Sequence, residues 1–236
     1  MKKADIIQKL NAFPYEKSQY RVITGGAMVM HGIRENTHDI DLGCTAEMAD
    51  RLESGGFLCG VSADGNRRFA YGGDIEIFEN WLCGTSVFIE GIPVISVKGL
   101  LGMKKSLGRE KDKKDVLLIT EHLKSEAQKI IGKNVRGVID RPAGSRHPVY
   151  GDMVYPVNYG YVEGVYAGDG EEQDVYVLGA DGPIETFEGK VIAVCCRLDD
   201  AEDKWIVSAD GRDYTDEEIM RQIGFQERYF DSELIR

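Results

Sequence analysis

The order of apolar and polar positions changes character about half-way along the chain. In the first half, periods of about 3.6 and of 2 alternate. They predict a helix near residues 3–13, a strand at 20–24, a short helix at 26–32, a strand at 38–43 and an amphipathic helix around 47–54. Short alternating runs at 67–71, 74–79 and 86–90 predict strands, because successive strand side chains point to opposite faces. Helices at 97–107 and 110–124 close an α/β pattern with a small mixed sheet. After residue 131 glycine, proline and tyrosine rise and helical periodicity fades. Apolar β-type runs follow at 134–139, 174–178, 190–198 and 204–208. One helical stretch, 215–223, has Thr215 or Asp216 placed to cap it. That pattern predicts a compact β-barrel with one packed helix. The expectation is two domains, 1–128 and 132–236, with the boundary between about residues 124 and 132.

Composition narrows the function classes. No run approaches the roughly 20 apolar residues that span a bilayer, and polar residues follow the N-terminal lysines where a signal peptide needs an apolar stretch. A cytoplasmic protein without a membrane partner is expected. Five cysteines, an odd number with no C-x-x-C, predict free thiols in a reducing compartment. Cys195 and Cys196 adjoin in an apolar run, so a strand would send them to opposite faces. None of the four histidines stands in a ligand spacing with a cysteine, which argues against zinc. The net charge of −11 is uneven: residues 1–131 hold 18 Lys+Arg and 18 Asp+Glu, residues 132–236 hold 11 and 22. An acidic second half lacks the basic stripe that nucleic acid would require. It leaves either a solvated surface or carboxylates gathered for hard cations.

Three segments of the second half carry candidate chemistry: Tyr155-Pro156-Val157-Asn158-Tyr159-Gly160-Tyr161, then Asp169-Gly170-Glu171-Glu172-Gln173-Asp174, then Asp199-Asp200-Ala201-Glu202-Asp203-Lys204. Each acidic segment alone reads as a polar turn. In this order, however, they resemble the soluble inorganic pyrophosphatase family over about residues 134–230. The resemblance implies a five-stranded barrel, a Mg²⁺-filled cleft and hydrolysis of pyrophosphate. It further implies Asp169, Asp174, Asp199 and Asp203 as metal ligands and Glu171 beside the attacking water. Lys204, Tyr159 and Tyr229 would meet phosphate, and Asp140 would match an early acidic residue. Arg141 or Arg146 would supply a guanidinium, Arg146 being carried in the candidate set. Departures are visible: the family's Lys-Tyr-Glu segment stands here as Val149-Tyr150-Gly151, its late Tyr-Lys pair as Tyr229-Phe230, and Glu171 replaces an aspartate.

In the first half, Thr24-Gly25-Gly26-Ala27 follows a predicted strand and opens a helix, a setting in which backbone N–H groups can meet a phosphate. Asp39 and Asp41 share a strand face, and the acidic pair Asp74 and Glu76 follows. Together with His31, Gly32, Arg34 and the later Lys104, Lys105, Arg109 and Asp112, this set resembles the nucleotidyltransferase superfamily over about residues 18–122. The resemblance implies Mg²⁺ on Asp39 and Asp41, Asp74 as third carboxylate and general base, and a nucleoside triphosphate held by Gly25, Gly26 and Lys104 or Lys105. A small acceptor would take the nucleotidyl group and pyrophosphate would leave. His31 could equally be packed, Met28 and Met30 read as filler, and the lysines at 111–114 read as a solvated face.

The expected function is therefore Mg²⁺-dependent pyrophosphate hydrolysis by the second domain, joined to nucleotidyl transfer by the first. The family resemblance also implies a tendency to form homo-oligomers. The alternatives are a nucleotidyltransferase with a non-hydrolytic barrel, or a non-catalytic nucleotide-sensing protein of toxin–antitoxin type.

Overall fold

In the computed structural model, which describes residues 1–62, 64–168 and 170–236, the chain divides into Met1–Thr120 and Glu121–Arg236. The first unit runs α1 (Lys3–Asn11), β1 (Tyr20–Ile23), α2 (Thr24–Met30), β2 (Ile40–Cys44), α3 (Ala46–Ser54), β3 (Leu58–Val61), β4 (Arg67–Tyr71), β5 (Ile75–Glu79), β6 (Ser86–Ile89), β7 (Ile92–Ile95), α4 (Val97–Leu107) and the start of α5 (Glu110–Gln128). Its strands form one seven-stranded mixed sheet in the order β3-β4-β5-β2-β1-β7-β6, with β1–β7 and β2–β5 parallel. The sheet is larger than periodicity predicted. Pro93 inside β7 and Gly60 inside β3 carry the residue types that ordinarily argue against a strand. The core is apolar side chains of the sheet and helices, among them Ile6, Val22, Met28, Met30, Ile40, Leu42, Leu52 and Ile77, all essentially inaccessible.

The second unit adds β8 (Asn134–Arg141), β9 (Asn158–Tyr166), β10 (Glu172–Leu178), β11 (Thr186–Arg197), β12 (Lys204–Ser208), α6 (Asp216–Glu227) and β13 (Ser232–Ile235). β11 closes the sheet on itself. Its first residues, 186–190, pair with β8, and from Lys190 to Cys195 it pairs with β12 across a register shift between Val191 and Ala193. The ring β8-β9-β10-β12-β11 is a five-stranded closed barrel, with β13 added along the end of β11. Closure forces backbones together. A Cβ on Gly160 would stand 1.9 Å from the carbonyl oxygen of Val138, so only glycine fits that crossing.

Strand alternation sorts the barrel residues into two clusters. Ile139, Val162, Val175, Val177, Val191, Cys196, Trp205 and Val207 fill one. Tyr159, Tyr176, Leu178, Ile192, Cys195 and Ile206 form the other, packed on Ile219 and Ile223 of α6. The predicted parting of Cys195 and Cys196 to opposite faces is thus observed, and both are buried. Ile219 and Ile223, four apart, form the apolar stripe of α6. Each fully buried side chain of this size contributes about 1.5–3 kcal/mol. The helix starts on a capping box: Thr215 Oγ1 accepts from the Glu218 amide at 3.2 Å, and a Glu218 carboxylate oxygen accepts from the Thr215 amide at 2.8 Å.

Candidate functional site

The face of the barrel that meets α6 also carries its polar cluster. Residues two apart on a strand share a face, so Asp174 lies beside Tyr176 on β10 and Lys204 beside Ile206 on β12. β10 and β12 run parallel and abreast, and Tyr176 stands opposite both Tyr159 on β9 and Ile206 on β12. The side chains converge accordingly. Tyr159 Oη and Lys204 Nζ both donate to Oδ2 of Asp174, and Lys204 donates to Glu202 as well. Glu202 returns to the same place, its Oε1 accepting from the Asp174 amide at 3.1 Å. Lys204 and Glu202 are buried, and Asp174 is partly open.

The electrostatics follow from that enclosure. Burial, followed by the Asp174 carboxylate, pushes the Tyr159 phenol far above its ordinary range, so it remains a donor at every physiological pH. Burial also raises the Glu202 carboxyl, against the opposing pull of Lys204. Asp140, at the end of β8, is raised by partial burial and by the negative charge of Asp174, while the adjacent guanidinium of Arg141 acts the other way. Asp140 thus belongs to the same field. Arg141 pairs with Asp140 at 2.8 Å and stands opposite Tyr159 in the strand register.

The two acidic loops touch at one point. A Cβ on Gly168 would lie 2.5 Å from the carbonyl oxygen of Ala201, so the β9–β10 connection rests against residues 199–203. Gln173 strengthens this, its side-chain amide donating to the Asp203 carbonyl at 2.6 Å.

Other candidates lie elsewhere. Asp203 turns its carboxylate to the Arg197 amide at 3.0 Å, and Asp199 accepts from the Asp231 amide at 3.0 Å. Tyr229 is exposed beside Arg228, and Arg146 donates to the Gly151 carbonyl at 2.6 Å on an exposed loop, so Arg141 is the guanidinium within the cluster. Glu171 is exposed just before β10. Asp169 lies outside the described residues. Glu202, absent from the candidate set, is the second carboxylate that faces Lys204, beside Asp174; the signal was its place two residues before that lysine. Among the described residues no group of three or more His, Cys, Asp or Glu side chains is disposed to hold a metal.

Residues 120–223 match the family model for inorganic pyrophosphatase. The pyrophosphatase match spans β8 to α6 and contains Asp140, Arg141, Tyr159, Asp174, Glu202 and Lys204. No curated protein matches the chain. Solved inorganic pyrophosphatases match part of the chain. That of Ehrlichia chaffeensis has 18% identity, covers 44% of this chain and 85% of its own, and has a TM-score of 0.35. That of Neisseria gonorrhoeae has 23% identity, covers 43% and 75%, and has a TM-score of 0.33. That of Thermus thermophilus has 18% identity, covers 44% and 81%, and has a TM-score of 0.32.

In Met1–Thr120 the carboxylates arrange differently from expectation. Asp41 on β2 stands opposite Glu76 on β5, whereas Asp74 precedes β5 and pairs with Lys9 at 2.8 Å. Burial raises the Asp41 carboxyl, and Asp39 and Glu76 add to the rise; the Thr24 hydroxyl, donated to Asp41, opposes it. Thr24 sits at a φ of 48°, a costly region for a β-branched residue. Lys104 is buried between Asp112 and Asp115 at 2.9 and 2.8 Å, and Lys105 is exposed. A Cβ on Gly26 would press Val22 at 3.1 Å, and one on Gly25 would meet Thr37 at 3.0 Å, so both glycines serve close packing. His31 is packed, with Nε2 2.7 Å from the Ile95 carbonyl oxygen.

Proposed function

We propose that the Glu121–Arg236 unit hydrolyses inorganic pyrophosphate to two phosphates with the help of Mg²⁺. The convergence of Asp174, Tyr159, Glu202 and Lys204 on one barrel face, inside the matched segment, carries this reading. The donor set suits a hard cation. Tyr159 and Lys204 both donate to Oδ2 of Asp174, and Arg141 donates to Oδ2 of Asp140. Asp140 and Asp174 would hold the ion, with Asp169 as the further ligand that the family resemblance suggests. Bound there, Mg²⁺ would supply charge neutralisation of the phosphoanhydride and a more acidic water.

The chain's own groups do the rest. Lys204, already inside a carboxylate cluster, brings a fixed positive charge to a phosphoryl oxygen, and Arg141 brings a second. Tyr159, held protonated, keeps Asp174 aimed. Water attacks one phosphorus, the bridging P–O bond breaks, and its electron pair leaves on the second phosphate. The water's proton passes to a carboxylate, for which Glu171 at the mouth of β10 is the candidate. Colorimetric phosphate release from pyrophosphate, with and without Mg²⁺, tests the reading. Asp174→Ala and Lys204→Ala should each lower the rate by about 100-fold. Intact pyrophosphate after incubation with folded wild type and Mg²⁺ would sink it.

For Met1–Thr120 we propose a nucleotidyltransferase-like role, supported by Asp41 and Glu76 standing abreast on parallel strands with Asp39 nearby. Glu76 replaces Asp74 as the favoured third carboxylate. Transfer from a nucleoside triphosphate to a small acceptor would release the pyrophosphate that the second unit consumes.

A further inference from the structure

Behind the Asp174 cluster lies a buried ion pair that the proposed hydrolysis does not use. Glu227, the last residue of α6, has a fully buried side chain, and Arg197, the last residue of β11, is 3% exposed. Arg197 Nη2 and Nε donate to the two carboxylate oxygens of Glu227 at 2.6 and 3.0 Å, a two-pronged pairing that only arginine can make. The Phe230 ring lies 3.7 Å from the guanidinium carbon. Taking two charges out of water costs enough that apolar residues of the same size often serve stability equally well. The pair's remaining bonds point to another use.

Arg197 Nη1 donates to Asp200 at 2.9 Å, and the Arg197 amide donates to Asp203 Oδ1 at 3.0 Å. Both acceptors belong to the loop that delivers Glu202 and Lys204 to Asp174. On the other side, the Tyr176 hydroxyl donates to Glu227 at 2.6 Å, and the Tyr176 ring lies 5.1 Å from that of Tyr159. Tyr159 in turn donates to Asp174. The contacts therefore form a closed ring: Asp174, Tyr159, Tyr176, Glu227, Arg197, the 199–203 loop, Lys204 and Asp174 again. We infer that Arg197 and Glu227 are positioning residues, which fix the acidic loop so that Glu202 and Lys204 face Asp174 in the geometry that turnover requires. The inference rests on the pyrophosphatase reading for its catalytic consequence, and on the loop geometry alone for its structural one.

The variant Arg197→Met/Glu227→Gln removes both charges together, so neither is left buried alone, and it keeps an acceptor for Tyr176. A second variant, Arg197→Lys, keeps the charge but has one nitrogen where three bonds are needed. Both should show faster backbone hydrogen exchange at residues 199–204 with unchanged exchange in β8 and β9. Both should also lose kcat by about 100-fold, as a misplacement of about 1 Å allows, with KM unaltered. A brace that serves only stability predicts lower melting temperatures with wild-type kcat in the folded fraction, and that result overturns the inference. So does slow turnover with wild-type exchange in the loop. If wild type itself leaves pyrophosphate intact, the functional reading fails, and the exchange measurement still decides whether the pair holds the loop.

Discussion

Asp140 shows how one residue can trade stability for function. Its carboxyl is raised by partial burial first, and further by Asp174, against the pull of Arg141. A raised carboxyl holds its proton more tightly in the folded state, so its stabilising effect is full below its ordinary pKa and is lost as pH rises through the raised one. Asp140→Asn should therefore melt higher than wild type at about pH 7 and no higher below about pH 3.5, the region under an ordinary aspartate pKa. The same variant should lose hydrolysis, since it removes a proposed ligand. A melting temperature below wild type at neutral pH would show that the bond to Arg141 outweighs the repulsion. Glu202 teaches a different lesson at this scale. Glu202 and Asp203 are neighbours of similar chemistry, yet only the one in phase with Lys204 faces inward. That phase is legible in the sequence. The direction in which Lys204 points is not, because it depends on which face of β12 meets the α6 side of the barrel.

Among the elements, the β9–β10 connection and the 199–203 loop depend on each other. Gly168 lies where any side chain would meet the Ala201 carbonyl. Gly168→Ala should push the loops apart, destabilise by about 1–3 kcal/mol as overpacking does, and slow hydrolysis. Chemical denaturation together with phosphate release checks both effects; wild-type behaviour in both would mean the loops are not interlocked there. The elements differed in legibility for physical reasons. β4, α4 and β12 coincide with their predicted spans because an uninterrupted period runs through each. β7 and β9 were not predicted. One contains proline, and the other opens on Asn-Tyr-Gly, whose Gly160 makes sense only against the approaching Val138 carbonyl. β13 packs just four residues on β11, too few to show a period.

For the whole molecule, the proposal divides labour between Met1–Thr120 and Glu121–Arg236. Asp41→Asn should abolish any release of pyrophosphate from a nucleoside triphosphate while leaving hydrolysis of added pyrophosphate at the wild-type rate. Asp174→Ala should do the reverse, so that pyrophosphate accumulates at steady state. Equal pyrophosphate levels in wild type and Asp174→Ala would end the coupling idea. Charge and hydropathy alone determined two halves of different texture, an acidic second half and no apolar run long enough to span a bilayer, and the order of three short segments carried the resemblance to inorganic pyrophosphatases. These features are local, written in periods and motifs a few residues long. Which carboxylates meet was decided by the tertiary structure, because strand register and barrel closure bring Lys204 and Glu202 to Asp174, about 30 positions earlier in the chain, and set Asp140 within the field of Asp174. Register is set by the packing of whole faces, and no single segment contains that information.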